Sequence, residues 1–237
     1  MMPVGAFTYV SNGRACIESA SVFPHGWGMA GKTRNRILVT SLLLFNEHGE
    51  PNTTTNDIAD EVDISPGNLH YHFRKKEQVV EALLDEFRAD ARRVLQPPEE
   101  FPVSIDDFWV FLHLLLECTA AYRFLFRDLE SLTEKYPHVG RALGHFAKGL
   151  AAVFELYLRE LAKSGELDVS EDDAAIVSRN LAVIALFSER FDGLTGRIDS
   201  ADDTALRTAG SILNALKPWS AAATLGHIEA LATHYEA

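Results

Sequence analysis

At 237 residues, the chain is long enough for one large domain or two smaller ones, and its hydrophobic content of 47% is ample for a packed core. Its two cysteines, Cys16 and Cys118, are too few for a disulfide framework or a structural zinc site, and no apolar stretch is long enough to span a membrane. The net charge of −12 argues at first against a nucleic-acid partner, and the N-terminal residues lack the pattern of a signal peptide, so we expect a cytoplasmic protein.

The charge is unevenly distributed along the chain, which weakens the objection to nucleic acid. Residues 29–77 carry six Lys and Arg against seven Asp and Glu, whereas residues 78–237 carry fifteen against twenty-six. The cations of the first region cluster at its two ends, at residues 32–36 and 74–76. Such clusters are usually solvated surface, so they permit DNA binding without indicating it.

Residues 1–28 show no sustained hydrophobic period and are expected to form a loose extension, and the internal Met29 resembles a second translation start. Helical periodicity begins at Lys32. Apolar residues then recur at the spacing of one helix face, and His48 with Gly49 marks a C-terminal stop. A first helix is therefore predicted to begin at Lys32 and to end near His48.

Residues 54–76 read TTNDIADEVDISPGNLHYHFRKK and have the pattern of two short helices joined by a tight turn. Thr54 is placed to cap the first helix, with Asp57 in the reciprocal position of a capping box. Ser65 and Pro66 begin the second helix as its N-cap and first-turn proline. The apolar residues of the second helix face inward, which leaves a polar, aromatic-rich outer face. This arrangement predicts a helix-turn-helix, whose second helix enters the major groove of DNA.

This segment resembles the helix-turn-helix of the TetR/AcrR family of transcriptional regulators. The matching positions share the family spacing and are Thr54-Thr55, Ile58-Ala59, Ile64-Ser65, Gly67, Leu69, His72-Phe73 and Lys76. Asp63 stands where the family usually has a glycine with positive φ, a conformation that aspartate tolerates better than most residues. Asn68 replaces a threonine and His70 a tyrosine. These departures alter the surface offered to bases, so the operator sequence does not follow from the resemblance.

The resemblance implies DNA contacts for ten residues, namely Arg34, Thr55, Asn56, Ser65, Gly67, Asn68, His70, Tyr71, His72 and Lys76. Thr55 and Lys76 are expected to contact phosphate at the starts of their helices. Arg34 and His72 are expected to reach the phosphate backbone too. Gly67 would let the chain approach DNA closely. Asn68, His70 and Tyr71 are the candidates for base edges or sugar-phosphate, since asparagine can bond bidentately to adenine.

Beyond residue 77 the helical periodicity continues to the end of the sequence. Helices are predicted over 77–95, over 104–136 with a bend near 122, and over 137–164, 170–192, 202–216 and 220–237. The prolines between 97 and 102 mark a junction, because they forbid continuation of a helix. We therefore predict an all-α fold, with a three-helix DNA-binding domain at 29–78 and a larger helical domain for effector binding and dimerisation at 79–237.

The predicted helix over 170–192 is apolar around most of its circumference, so a second copy of the chain is expected to cover part of it. The resemblance points to this helix and the one over 202–216 as a four-helix seam between two protomers. The residues expected in this interface are Ile176, Val183, Ile184, Phe187 and Ile212.

Polar groups within the apolar helices over 104–162 predict a site for a small organic effector. The candidates are Trp109, His113, Glu117, Tyr122, Arg123, Arg127 and Phe146. Arg123 has no carboxylate three or four residues away, so a buried Arg123 needs a partner from elsewhere. An internal ion pair with Glu117 or Glu155 is the favoured alternative to an anionic ligand.

The sequence thus predicts a regulator, most simply a repressor, that binds palindromic operator DNA as a homodimer and is released by an effector. It predicts no catalytic residue, metal or cofactor, because His70 and His72 point in different directions on a helix and Cys118 lies in an apolar one. The alternatives are an enzyme and a helical adaptor without DNA binding. Salt-dependent, sequence-specific retardation of DNA would distinguish them from a regulator.

Overall fold

The structure of the protein, a computed structural model, describes residues 32–98, 101–197 and 201–233. Within these ranges the chain forms eleven α-helices: α1 (Lys32–His48), α2 (Thr55–Val62), α3 (Pro66–His72), α4 (Lys76–Val94), α5 (Ile105–Ala121), α6 (Phe124–Arg127), α7 (Leu129–Lys135), α8 (Pro137–Lys163), α9 (Glu171–Leu194), α10 (Ala201–Leu216) and α11 (Ala222–Thr233). A 3₁₀ helix, Lys217–Trp219, joins α10 to α11. The prediction of an all-α fold is confirmed.

Two of the predicted segments fall outside the described residues. They are the N-terminal extension at 1–28 and the last four residues of the final predicted helix, 234–237. In the part of the chain that the structure describes, no helix is both long and apolar enough to cross a membrane.

Four helices, α2, α3, α5 and α9, begin at a capping side chain that the sequence supplies. Thr54 and Asp57 form the predicted capping box of α2: the Thr54 hydroxyl accepts from the Asp57 N–H at 3.2 Å, and the Asp57 carboxylate accepts from the Thr54 N–H at 2.7 Å. Ser104 and Asp107 form the same box at α5. Such side chains satisfy N–H groups that have no partner inside the helix. The predicted helix starts therefore agree with the structure to within two residues.

Helix α4 connects the N-terminal helices to the rest of the molecule, because it packs against α1 and also against α5 and α8. Its buried Phe87 lies edge-on to three aromatic rings, with ring centroids at 5.5 Å for Tyr122, 5.8 Å for Phe126 and 5.0 Å for Phe146. Aromatic pairs in this arrangement add to the stabilisation from buried area. The second half of α4 is thus anchored in the C-terminal core.

The predicted helix over 104–136 is interrupted between α5 and α6. Asn46 of α1 lies at the interruption, where its amide donates to the Ala121 carbonyl at 2.9 Å and its Oδ1 accepts from the Phe124 N–H at 3.1 Å. Asn46 therefore pairs backbone groups that a continuous helix would pair internally. The break depends on this tertiary contact, so periodicity alone could indicate a bend but not its form.

Asp63 ends α2 in the left-handed region, with φ 57° and ψ 54°, as the comparison with the family pattern predicted. Asp63→Val is expected to lower the free energy of unfolding by about 1–2 kcal/mol, because a β-branched side chain is strained there. Asp63→Gly is expected to change it by less than about 1 kcal/mol, since glycine adopts this conformation freely. Urea unfolding at pH 7 checks both variants, and equal stability of the two would contradict strain at this turn.

Candidate nucleic-acid interface

Helices α2 and α3 are held together by their inner faces, on either side of a turn at residues 63–65. Ile58 and Ala59 of α2 and Leu69 of α3 are fully buried. The side chain of Ser65 accepts from the Asn68 N–H at 3.2 Å and so starts α3. The burial of one side of α3 leaves its opposite side facing solvent.

The outer face of α3 brings together the residues predicted to read bases. Asn68, His70 and Tyr71 are all exposed, and Tyr71 exposes 84% of its surface. His72 is half-buried and meets Tyr71 edge-on, with the ring centroids 5.2 Å apart. Packing within the protomer gives no reason for so exposed an aromatic ring. This face is therefore the candidate recognition surface.

Gly67 lies in the first turn of α3, at the rim of the same face. A Cβ atom at this position would meet only the Ser65 hydroxyl, at 3.9 Å, and its backbone φ is not positive. Neither packing nor conformation within the protomer requires a glycine here. Close approach of a molecule outside the protomer would require one.

Three other predicted contact residues lie on the helices before α3. Thr55 is half-buried and Asn56 exposed, both in the first turn of α2. Arg34 of α1 is exposed, and its guanidinium lies 5.0 Å from the centre of the Phe73 ring, which directly follows α3. This cation–π contact holds a cation beside the C-terminal end of α3.

Lys76 is not placed as predicted, because its ammonium group points into the protein. Its Nζ donates to the Glu50 and Thr53 carbonyls, both at 2.7 Å, and lies 3.0 Å from the Glu50 carboxylate. An ammonium group has three N–H donors, and these partners occupy them. The prediction that the Lys76 side chain contacts phosphate is therefore corrected to an internal, structural role.

Glu50, for which the sequence predicted no role, is the partner that accounts for the inward position of the Lys76 ammonium group. Its carboxylate is fully buried and also accepts from Lys135 at 3.1 Å and from the Tyr136 hydroxyl at 3.0 Å. Burial opposes ionisation, but hydrogen bonds from the two lysines and the charge of Lys76 outweigh it and hold the pKa of Glu50 below its ordinary value. The sequence carries no local sign of this cluster, since its members come from distant segments.

The predicted dimer residues of α9 form an exposed apolar row. Ile176, Val183 and Phe187 expose 62%, 52% and 37% of their surfaces, and Ile184 is half-buried. Phe191 and Leu194 extend the row at helical spacing.

Ile212 of α10 does not belong to this row. Its side chain is fully buried within the protomer, so its prediction as an interface residue is corrected to a core position. On α10 the apolar side chain of Leu206 is exposed.

The two arginines predicted to bind an effector are paired within the protein. Arg123 forms an ion pair at 2.8 Å with Glu189 of α9, so the internal pair was foreseen but its partner was neither Glu117 nor Glu155. Arg127 donates to the carbonyls of Phe45 and Asn46, at 2.7 and 2.8 Å, and so caps the end of α1.

The other five predicted effector residues do not surround one cavity. Tyr122 is buried and donates to Asp90 at 2.8 Å, and Phe146 lies in the aromatic core around Phe87. Trp109 and His113 contact each other with ring centroids 4.4 Å apart, while Glu117 is exposed. Trp109 lines a surface notch beside α11.

Neither the remaining cysteine nor the acidic and histidine side chains form a reactive or metal-binding site among the described residues. Cys118 is buried, and burial together with the charge of Asp90 raises the pKa of its thiol to about 12. At neutral pH it is a thiol and not a nucleophilic thiolate. Among the described residues, no group of His, Cys, Asp and Glu is arranged to hold a metal ion.

Comparison with protein families gives two matches that together span most of the chain. The TetR model, described as a bacterial transcriptional repressor, matches residues 86–228, and the TetR_N model, described as bacterial regulatory proteins of the tetR family, matches residues 37–83. The second match contains α2 and α3, and the first covers the helices from α5 to α10.

Curated relatives resemble the chain over a short segment. The chain is 41% identical over 54 residues to the HTH-type transcriptional repressor KstR2 of Mycolicibacterium smegmatis, and the aligned segment covers 23% of this chain and 26% of the relative. It is 40% identical over 48 residues to the probable acrEF/envCD operon repressor of Escherichia coli K12, covering 20% and 22%. The aligned part thus spans about a quarter of the length of these relatives.

Solved structures resemble the chain over most of its length. A TetR-family regulator from Marinobacter aquaeolei superposes with a TM-score of 0.77 at 29% identity, covering 86% of this chain and 98% of that one. KstR2 of Mycobacterium tuberculosis superposes with a TM-score of 0.59 at 20% identity, covering 82% and 98%, which shows a shared fold.

Proposed function

The chain belongs to the TetR family of bacterial transcriptional regulators, and from this premise we propose that it is a homodimeric repressor that binds palindromic operator DNA. The outer face of α3 carries the proposal, because it presents Asn68, His70 and Tyr71 beside a glycine that the protomer does not need. We assign the DNA-binding domain to residues 29–78 and the effector-binding and dimerisation domain to 79–237. Such a protein acts in the cytoplasm, where bacterial DNA lies.

In the proposed complex, α3 lies in the major groove, with Asn68, His70 and Tyr71 at base edges and Gly67 against the DNA backbone. Thr55 and Asn56 approach phosphate from the start of α2, and Arg34 approaches it from α1. Ser65 contributes by starting α3, and His72 lies at the edge of the contact. Lys76 supports this surface from inside.

Selection of bound DNA from a random pool, followed by titration at several salt concentrations, tests the function. We expect a two-fold symmetric site and an affinity that falls steeply with salt. Arg34→Ala is expected to reduce the slope of log affinity against log salt by about 0.9, the contribution of one phosphate contact. Arg92→Ala, an exposed arginine near the far end of α4, is the matched control and should leave the slope unchanged.

One outcome would contradict the proposed function, and another would contradict only the contact assigned to Arg34. Failure of the wild-type protein to enrich any sequence would favour an enzyme or a helical adaptor over a repressor. An unchanged slope in Arg34→Ala would remove Arg34 from the interface while leaving the function in place.

Dimerisation is proposed through the exposed apolar row of α9, since a lone protomer leaves this row in contact with water. A dimer also supplies the two recognition helices that a two-fold symmetric operator requires. Ile176, Val183 and Phe187 form the centre of the proposed contact, with Ile184 partly inserted beneath it.

Val183→Arg is expected to convert dimers into monomers, because it buries an unpaired charge at the seam. Size-exclusion chromatography with light scattering measures the change. Val110→Arg is the matched control, since Val110 of α5 is 50% exposed and lies outside the row. Persistence of the dimer in Val183→Arg would exclude this surface.

We propose that a small organic effector releases the protein from its operator. The strongly apolar helices of the C-terminal domain support this proposal. Between α5, α6, α9 and α10 lies a cavity of about 40 Å³, bordered by Glu189 and Thr208. Pockets that bind drug-sized organic ligands have volumes of roughly 300–1,000 Å³, so these helices would have to part to admit one.

A thermal-shift screen of lipophilic acids, aromatic compounds and cations on the wild type and on Arg123→Ala tests the effector. Arg123 pairs with Glu189, which borders the cavity, so loss of the pair is expected to change the response to a bound compound. Hits that stabilise both proteins equally would place the site elsewhere.

A further inference from the structure

Glu50 lies at the point where the DNA-binding helices meet the C-terminal domain. Its carboxylate Oε1 accepts from Lys76 of α4 at 3.0 Å and from Lys135 at 3.1 Å and Tyr136 at 3.0 Å, at the end of α7. One buried oxygen atom therefore joins α4 to the segment between α7 and α8. We infer that Glu50 is a positioning residue, which sets where α3 stands relative to the C-terminal domain.

The backbone groups of Glu50 also connect the start of α4 to the region of α7. Its N–H donates to the Asp128 carboxylate at 2.8 Å, next to the start of α7, and its carbonyl accepts from Lys76 at 2.7 Å. Lys76 also donates to the Thr53 carbonyl, which fixes the chain just before α2. Every polar group of Glu50 except Oε2 thus connects two parts of the molecule.

The link reaches the recognition helix in a few residues. Lys76 begins α4 and lies four positions after His72, the last residue of α3. A displacement of Lys135 or Tyr136 changes the position that the Glu50 carboxylate can occupy. Because Lys76 follows that carboxylate, the end of α3 moves with it.

Stability alone is a poor explanation for this cluster. Moving a carboxylate and an ammonium out of water costs free energy that their attraction often only offsets, so apolar side chains could fill the same volume at similar stability. The Oε2 atom of Glu50 is buried and has no hydrogen-bond partner among the described residues, which adds to the cost. The short, directional hydrogen bonds to Oε1 of Glu50 nevertheless define a single arrangement of the helices that they connect. Apolar packing would define that arrangement less strictly.

The consequence concerns the operator, and it rests on the proposed function. In a two-fold dimer, the position of α3 relative to the C-terminal domain determines the distance between the two recognition helices. That distance must match the spacing of the half-sites. Loosening the Glu50 link should therefore broaden the range of half-site spacings that the dimer accepts.

The first part of the test needs no DNA. Spin labels are attached to Glu61→Cys in α2 and Lys148→Cys in α8, both exposed positions, in a Cys16→Ser chain diluted with unlabelled protein. Cys118 can remain, because its thiol is buried in the protomer, and this burial also raises its pKa. We expect a single narrow distance for the wild type and a shifted or broadened distribution for Glu50→Gln.

Two further variants keep this measurement decisive. Lys135→Met removes one of the two donors that the end of α7 gives to Oε1, at a partly exposed position, so it should fold even if Glu50→Gln does not, and it should also broaden the distribution. Glu47→Gln makes the same chemical change as Glu50→Gln at an exposed site on α1, and it should leave the distance unchanged. Unchanged distances in Lys135→Met and in folded Glu50→Gln would overturn the inference.

The second part uses the selected operator and versions with one base pair inserted or removed between the half-sites. The wild type should prefer its own spacing by roughly tenfold or more. In Glu50→Gln and Lys135→Met this preference should fall to less than about threefold, and the double variant should lose no more than either single one. Equal weakening on all three operators would indicate a purely structural role and overturn the inference. Absence of any wild-type binding would instead overturn the proposed function, while the distance measurement still decides the role of Glu50.

Discussion

Lys76→Met is expected to lower the free energy of unfolding by about 3 kcal/mol. The substitution removes an ammonium group that is 17% exposed and leaves the fully buried Glu50 carboxylate with one lysine in place of two. It also removes the Lys76 donor from the Glu50 and Thr53 carbonyls, of which the Glu50 carbonyl keeps the Thr53 N–H at 3.3 Å. Removing one partner of a buried ion pair typically costs about 3–5 kcal/mol, and the remaining Lys135 keeps the expected loss at the lower end. Urea unfolding monitored by circular dichroism at pH 7 measures it.

Lys75→Met is the matched control for this prediction. Lys75 is the exposed neighbour of Lys76, so the same substitution there should change stability by less than about 0.5 kcal/mol. The opposite result would be a Lys76→Met protein of unchanged stability whose slope of log DNA affinity against log salt is reduced by about 0.9. That result would make Lys76 a phosphate ligand and the internal geometry wrong.

The pH dependence of stability provides a second check on the same cluster. The pKa of Glu50 lies below its ordinary value of 4.5, so its ionised form is favoured in the folded state. This contribution is fully present above the unfolded pKa and is lost as the pH falls through the lowered pKa of the folded state. Below pH 4.5, Glu50→Gln should therefore lose less stability than the wild type for each unit of acidification. Parallel stability curves for the two proteins would contradict this assignment.

Phe146→Ala is expected to lower the free energy of unfolding by about 3–5 kcal/mol, which is enough to unfold a marginally stable protein. Phe146 is 4% exposed and meets Phe87 and Phe126 with ring centroids at 5.0 and 6.0 Å. Deleting it leaves a cavity at the point where α4 is anchored among the C-terminal helices. Thermal unfolding and urea titration measure the loss.

Leu114→Ala is the control for Phe146→Ala, since Leu114 of α5 is 50% exposed. This substitution should lower the free energy of unfolding by less than about 1 kcal/mol. The comparison also separates two interpretations of Phe146. A residue lining an open effector pocket would tolerate truncation and alter ligand binding. A core residue would lose stability whether or not a ligand is present.

The parts of the fold that were predicted from sequence are those specified locally. Thr54, Ser65 and Ser104 are followed three residues later by the N–H groups they cap, so helix starts can be identified without knowledge of the tertiary structure. The spacing of the helix-turn-helix likewise lies within a single short segment. The left-handed Asp63 followed from its position in that pattern.

The errors concern partners that are distant in the chain. Lys76 is a helix-start cation whether it faces DNA or Glu50, and only the folded chain shows which. Arg123 was expected to need a partner, but nothing in the spacing identified Glu189. Ile212 is as apolar as an interface residue, and apolarity does not distinguish a protomer core from a dimer seam.

The recognition face of α3 contains no lysine or arginine, and its cations lie around it, at Arg34 and in the exposed pair Arg74 and Lys75. In the proposed complex, attraction to any DNA therefore comes from the lysine and arginine side chains of the rim, while discrimination between sequences comes from the side chains of Asn68, His70 and Tyr71 at the centre. Raising the ionic strength should weaken binding to operator and to random DNA by similar factors, leaving their ratio nearly constant. Salt would then control how long the protein scans along a chromosome, but not how well it distinguishes its target from the surrounding sequence.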